Sequence, residues 1–300
     1  MIFGKVDKMN ILLLFLTAIM WSFVGVMVKS ASMMVGSSVI TLSRFLFGVV
    51  FLGLYLLIKK KKIKLLWRNK WIWFGVIGKS INYLFENLAI SMGFAYGNII
   101  VWPVQAIFIA FVAVFYFDEK IYFKKLLAII LCICGVLLVS WKGVPLKEFF
   151  GQSFLITILF VISAIGAGVH VISQKKLIET MGSGNMNLSI FLYSAIFTAI
   201  PVPFNFQITG DLNIWPVISL LGLGFVTGIS FYIYAKALKK TPLIIAVIIS
   251  NSSVLFTLLW SRLFFQEPIN IFVKVGALLL LTGLIVLNIP KKKKQIEIAG

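Results

Sequence analysis

Sixty-one percent of this 300-residue chain is hydrophobic and its mean hydropathy is +1.06, whereas an ordinary soluble domain is nearer half apolar. The formal charge of +19, from 28 basic against 9 acidic residues, would raise nucleic acid as a partner for a soluble protein. Here the basic residues sit in short runs between apolar stretches, at 59–62, 239–240 and 291–294, where lysines hold helix ends at lipid headgroups, and that distribution excludes nucleic acid.

A helix rises about 1.5 Å per residue, so roughly 20 apolar residues cross the hydrocarbon core. Runs of that length predict ten spans in an all-α membrane protein. The first, 9–28, carries Trp21 and is read as a retained helix, although Lys5 and Lys8 before it and Ser30, Ala31 and Ser32 after it imitate a signal peptide. The second, 38–58, holds Arg44 about six residues from one end, where snorkelling of its side chain to the surface accounts for it.

The third span, 71–92, is the most polar. Lys79, Asn82 and Glu86 are spaced i, i+3, i+7 and share one face. Lys79 is close enough to the nearer surface to snorkel, but Glu86 leans toward the midplane, so its carboxylate must be protonated, paired or facing a wet cavity. The fourth span, 97–117, presents Asn98, Trp102 and Gln105 on one side. The fifth, 123–141, contains Cys132 and Cys134, which point to different sides of a helix and are read as packing residues. The sixth, 153–173, carries His170, the only histidine, so no metal cluster forms around it in sequence. Its near-neutral titration suits proton coupling, and a hydrogen-bonded packing role is the plainer reading. Spans at 188–206, 214–237, 243–264 and 272–289 complete the set.

With the N-terminus inside, 21 of the 28 basic residues fall on cytoplasmic segments and five, among them Lys29, Lys142 and Arg262, on outer ones. The positive-inside rule then places both termini in the cytoplasm. Sliding the chain on itself by 148 residues superposes the third to fifth spans on the eighth to tenth: Ala89 falls on Ala237, Phe108 on Phe256, Glu119 on Glu267 and Gly135 on Gly283. Five spans per half is an odd number, so the second copy enters the membrane from the opposite side. The organisation expected is an inverted 5+5 repeat, with halves at 1–142 and 153–290 and a basic tail at 291–300. The same shift lands Lys79, Asn82 and Glu86 on Thr227, Ser230 and Tyr234, and places Ser250 and Ser253 opposite the polar face of the fourth span. Matched polar stripes predict a shared, hydrated interior, with interhelical hydrogen bonding as the bland alternative.

Trp102-Pro103 with Glu119 sixteen residues beyond the proline, Trp21-Ser22 in the first span and Glu267-Pro268 in the second half resemble EamA-type proteins of the drug/metabolite transporter superfamily. Ser22 stands where that pattern usually has glycine, and Asn251 where it has proline. The resemblance covers essentially the whole chain and implies movement of a small metabolite by alternating access without ATP hydrolysis.

Trp21 and Trp102 could form an aromatic wall for a planar or cationic solute, while Trp67, Trp71, Trp141 and Trp215 suit interface anchors. Gly93 with Gly97, and Gly224 with Gly228, allow close helix contact. Glu119 and Glu267 open the fifth and tenth spans, where free amides and the helix dipole stabilise a carboxylate. The function expected is a secondary transporter of the cell membrane, a monomer or homodimer in lipid. It would move a small polar or zwitterionic solute (amino-acid, amine or nucleobase-like) by exchange or with proton coupling, without a cofactor. The substrate-binding residues expected are Trp21, Lys79, Asn82, Glu86, Trp102, Gln105, His170, Ser230, Tyr234 and Ser250. A membrane-embedded enzyme acting on lipid-linked substrates is the alternative, with Asp118-Glu119 its one acidic pair.

Overall fold

The computed structural model describes residues 8–117, 122–178, 180–204, 206, 208, 213–238, 241 and 243–289. Lys5, the Asp118-Glu119 pair, Lys120, Lys239, Lys240 and the basic tail lie outside the described residues. Among the described residues the fold is helical throughout, with one isolated β-bridge between Val35 and Ile208.

In the first half, α1 (Lys8–Ser22) and α2 (Val24–Ala31) are followed by α3 (Ser37–Ile58), α4 (Lys70–Met92), α5 (Val101–Phe117) and α6 (Phe123–Trp141). A short turn, α7 (Leu146–Glu148), leads to α8 (Phe154–Leu177), α9 (Ser183–Ala199), α10 (Ile214–Phe225), α11 (Phe231–Leu238), α12 (Leu243–Asn251), α13 (Ser253–Phe265) and α14 (Ile271–Leu287). Asparagines start three of these helices: the side chains of Asn69, Asn213 and Asn270 accept from the amides of Trp71, Trp215 and Val273, each satisfying one orphan donor of a first turn.

Several spans are not continuous α-helices. Phe23 separates α1 from α2, a wider π turn (Val226–Ser230) joins α10 to α11, and Ser252 separates α12 from α13. The fourth span opens with a 3-10 segment (Ala95–Ile100) ahead of α5. The seventh begins earlier and stops sooner than the apolar run suggests, because the polar residues from Ser183 to Asn187 are helical and Pro201 and Pro203 end the helix.

Eight helical stretches are long and apolar enough to cross a membrane. Large apolar side chains such as Leu54, Leu57, Phe111, Leu137 and Leu278 face outward, while Arg44, Lys79, Asn82, Glu86, Asn87 and His170 are buried. That is the arrangement for a chain whose surrounding solvent is lipid. Inside, close crossings rest on glycine. A Cβ on Gly78 of α4 would lie 2.7 Å from the Gly166 carbonyl oxygen of α8, and one on Gly166 would lie 2.7 Å from that of Gly78. Gly224 and Gly228 likewise press against Phe47 and Gly48 of α3, as their spacing predicts.

Contacts define two ends of the bundle. At one, Asn185 donates to the Lys62 carbonyl (3.1 Å) and Lys61 Nζ to the Tyr232 hydroxyl (3.1 Å). At the other, Lys29, Gly93, Ala95, Lys142 and Glu267 are gathered by hydrogen bonds and ring contacts. They are called the lysine end and the glutamate end below.

Candidate functional site

The polar face of α4 is divided among three neighbours. Asn82 Nδ2 donates to Ser163 Oγ on α8 at 2.9 Å, and Ser163 Oγ donates back to the Asn82 carbonyl at 3.0 Å. The crossing that permits this exchange is the Gly78–Gly166 approach one turn away.

Glu86 turns the other way, to α3. Arg44 Nη1 lies 3.2 Å from Glu86 Oε2 and 2.8 Å from Asn87 Oδ1, and its guanidinium stacks 3.5 Å above the Tyr83 ring. Snorkelling therefore fails as the account of Arg44: the side chain is 2% exposed and points into the protein, where Glu86 and Asn87 take Nη1 and Tyr83 covers the guanidinium face, its Nε lacking a partner among the described residues. Of the three states open to Glu86, pairing is the one found. Asn87 in turn donates to Thr41 Oγ1 at 2.8 Å, so the pair sits in a wider network.

Lys79 does not snorkel either. It is 5% exposed, donates to Asn82 Oδ1 at 3.0 Å, and holds its ammonium 4.1 Å from the Tyr83 ring centroid and 4.5 Å from that of Phe231. The rings attract the charge through their electron-rich faces. Tyr83 completes the contact across the bundle, its hydroxyl 3.3 Å from Thr227 Oγ1. His170, 1% exposed, lies edge-on to Phe231 with ring centroids 6.3 Å apart. Its Nδ1 is 3.3 Å from the Gly75 carbonyl oxygen, and its Nε2 is buried without a hydrogen-bond partner.

On the far side of Phe231 stands the aromatic wall. Trp21 lies 5.1 Å from Trp102, 5.1 Å from Tyr234 and 5.7 Å from Phe231, centroid to centroid, and its Nε1 donates to Ser230 Oγ at 2.8 Å. Ser250 neighbours the Tyr234 hydroxyl, and Gln105 is buried on α5. Trp21 stands just before the break at Phe23, and Ser230 closes the π turn that leads into Phe231. Departures from regular helix thus flank both partners.

Phe231, Tyr83 and Arg44 are the residues sequence reasoning left out of the site. Phe231 is the hub, touching Trp21, Lys79, His170 and Phe191. The 148-residue shift could have found it, since it carries Tyr83 onto Phe231 as it carries Lys79 onto Thr227. The observed contacts respect that shift: Tyr83 reaches Thr227, and the equivalent pair, Phe231 and Lys79, is also in contact.

At the glutamate end, Glu267 accepts from the amides of Ala95 (2.8 Å) and Tyr96 (3.4 Å) and from the Ser261 hydroxyl, while Lys29 donates to the Gly93 carbonyl. Glu267 was expected to serve its own span. It caps instead the 3-10 segment of the first half, because Asn270 already caps α14. Lys142 closes α6 with φ at +55° and stacks its ammonium 4.5 Å from the Phe94 ring. Burial holds that ammonium below the usual lysine range, opposed in part by Glu148 and Glu267. At the lysine end, an open cleft of about 330 Å³ is lined by Lys61, Lys62, Lys236, Asn185 and Tyr232 among others.

The sequence pattern of the EamA-like transporter family matches the chain twice, over residues 8–141 and 154–289. A Bacillus subtilis (strain 168) protein described as an uncharacterized transporter, YetK, is 22% identical over 191 residues, which is 62% of this chain. That alignment spans 57% of the relative's own length. A Clostridium kluyveri protein, also described as an uncharacterized transporter, is 23% identical over 223 residues, covering 73% of this chain and 71% of that one. One solved crystal structure superposes with a TM-score of 0.68 at 17% identity, over 93% of this chain and 98% of its own, which is a likeness of fold.

Proposed function

This chain belongs to the EamA-like transporter family of multi-pass cell-membrane proteins, and on that premise we propose that it moves a small polar or zwitterionic solute by alternating access between two inverted five-helix halves. The observation that carries the reading is Lys79 lying between Tyr83 and Phe231, residues that the 148-residue shift makes equivalent. A solute site on the boundary between two repeats is where inverted-repeat transporters exchange access from one face to the other.

Ten spans follow if α4 and α14 are added to the eight apolar stretches. At 23 residues α4 is long enough, and its polarity faces inward, onto α3, α8 and α11. α14 is apolar and packs along α6 through Gly135, Gly276 and Gly283. Packing also obeys the exchange: the third span crosses the sixth as the eighth meets the first, and the second meets the eighth as the seventh meets the third. The double family match over 8–141 and 154–289 supports halves with those bounds. The basic lysine end then faces the cytoplasm.

Within this reading Trp21, Trp102, Ser230, Tyr234 and Ser250 wall one side of the site and Lys79, Asn82 and His170 the other, with Glu86 held behind them by Arg44. Counterflow in proteoliposomes loaded with amino acids, amines or nucleobases tests it, with a pH gradient added to separate exchange from proton coupling. Transport of one class by wild type, lost in Phe231→Ala, is the expected result. Side-specific labelling that put the 142–151 connection on the same side as the termini would remove the inverted repeat and the proposal with it.

A further inference from the structure

Two buried cations from neighbouring helices share the Tyr83 ring, and their other surroundings differ. Arg44 has a carboxylate at 3.2 Å. Lys79 has one amide oxygen and two ring faces, and among the described residues no carboxylate comes within 4.0 Å of it. An ammonium has three donors and a full charge, and ring faces attract that charge without neutralising it. Arg44, Glu86 and Lys79 together leave one positive charge uncompensated, and buried charges are ordinarily paired, so Lys79 marks a site lacking an anion.

Building on the transport reading, we infer that the solute is a small monocarboxylate with an apolar or planar body, its carboxylate meeting Lys79 and its body lying against Phe231 and Trp21. One uncompensated positive charge matches one negative charge. A zwitterion would bring an ammonium that needs an acid of its own. Of the described acids, Glu86 is engaged by Arg44, Glu267 by backbone amides at the glutamate end, and Glu148 lies on α7 beyond the span. A free amine meets Lys79 and Arg44 as like charges.

The approach carries the same sign. Lys61, Lys62 and Lys236 line the open cleft at the lysine end, and a cleft of one charge concentrates ions of the other. Tyr232, tilted against Tyr55 with ring centroids 4.9 Å apart, lines that cleft, and the residue before it, Phe231, covers Lys79.

A phenyl series keeps the body constant and varies the charge: phenylacetate (anion), phenylalanine (zwitterion) and 2-phenylethylammonium (cation), with inorganic phosphate as an anion lacking the body. Titrated calorimetrically into purified wild-type protein in detergent, phenylacetate is expected to bind best. Lys79→Met is expected to bind it at least about tenfold more weakly, and Lys79→Arg to recover part of the loss. Tighter binding of phenylalanine or the amine than of phenylacetate, equal phenylacetate binding by Lys79→Met, or no binding of the anion by wild type overturns the inference. The wild-type series decides by itself if Lys79→Met does not fold. Counterflow separates the two proposals: Lys79-dependent binding of phenylacetate without transport of any solute removes the transport reading and leaves the anion site. Transport of amines untouched by Lys79→Met does the reverse.

Discussion

Arg44 and Lys79 set the same problem before the fold, a positive charge taken out of water inside a membrane protein, and receive opposite treatment. Arg44 is given a carboxylate, an amide oxygen and a ring face, which cancel its charge although its Nε is left without a partner among the described residues. Lys79 is given an amide oxygen and two rings, enough to hold the charge and too little to cancel it. Desolvating an ion costs several kcal/mol, while a desolvated cation–ring contact returns about 2 kcal/mol. The comparison separates a charge that belongs to the architecture from one available to a ligand.

The sharpest way to break it is to give Arg44 the condition of Lys79. Glu86→Ala strands a buried guanidinium and is expected to cost about 3–5 kcal/mol in unfolding experiments in mild detergent. Arg44→Met with Glu86→Met together should recover most of that loss, and a double variant as unstable as the single would mean the pair is not what Glu86 is for. Next comes the crossing that presents both Asn82 and Lys79. Gly166→Val forces a side chain into the Gly78 backbone and should cost about 1–3 kcal/mol, with solute binding impaired alongside.

Lys79→Met should act with the opposite sign. Removing an incompletely compensated cation is expected to raise the melting point of the ligand-free protein, by the equivalent of about 1–2 kcal/mol, while binding is lost. A lower melting point would make Lys79 a structural residue like Arg44.

The smallest effect concerns Lys142, outside the spans. Burial depresses its folded pKa below the ordinary lysine value, so over the interval just beneath that value the unfolded chain binds more protons and stability rises with pH. Melting curves from about pH 8 upward should show that rise in wild type relative to Lys142→Gln, and parallel curves would dismiss it.

How legible this was in the sequence varies with the kind of information required. Apolar run length located the helical stretches because lipid demands a fixed span, and the 148-residue shift put Lys79, Asn82 and Glu86 opposite Thr227, Ser230 and Tyr234 before any coordinates. Pairing across helices was not legible. Depth along a helix suggested that Arg44 and Lys79 would reach for the surface, yet which neighbour faces them decides, and no periodicity names Glu86 as the partner of one and Phe231 as the cover of the other. The breaks at Phe23 and Ser252 and the π turn before Phe231 were equally hidden, because hydropathy does not register a helix that changes pitch while staying apolar. Glu267 was recognised as an amide-binding acid but assigned to the wrong helix, since a sequence shows what a residue can do and not which chain segment lies opposite.

That misassigned glutamate ties one repeat of the chain to the other. Because its carboxylate from one half grips Ala95 and Tyr96 of the other, the glutamate end can part only when those bonds release together. Charge-assisted hydrogen bonds contribute about 1.5–3 kcal/mol each, so two of them make the parted state scarcer by roughly a hundred- to ten-thousandfold. Under the alternating-access proposal, opening at this end would have to overcome that scarcity, at a distance from Lys79 and Phe231.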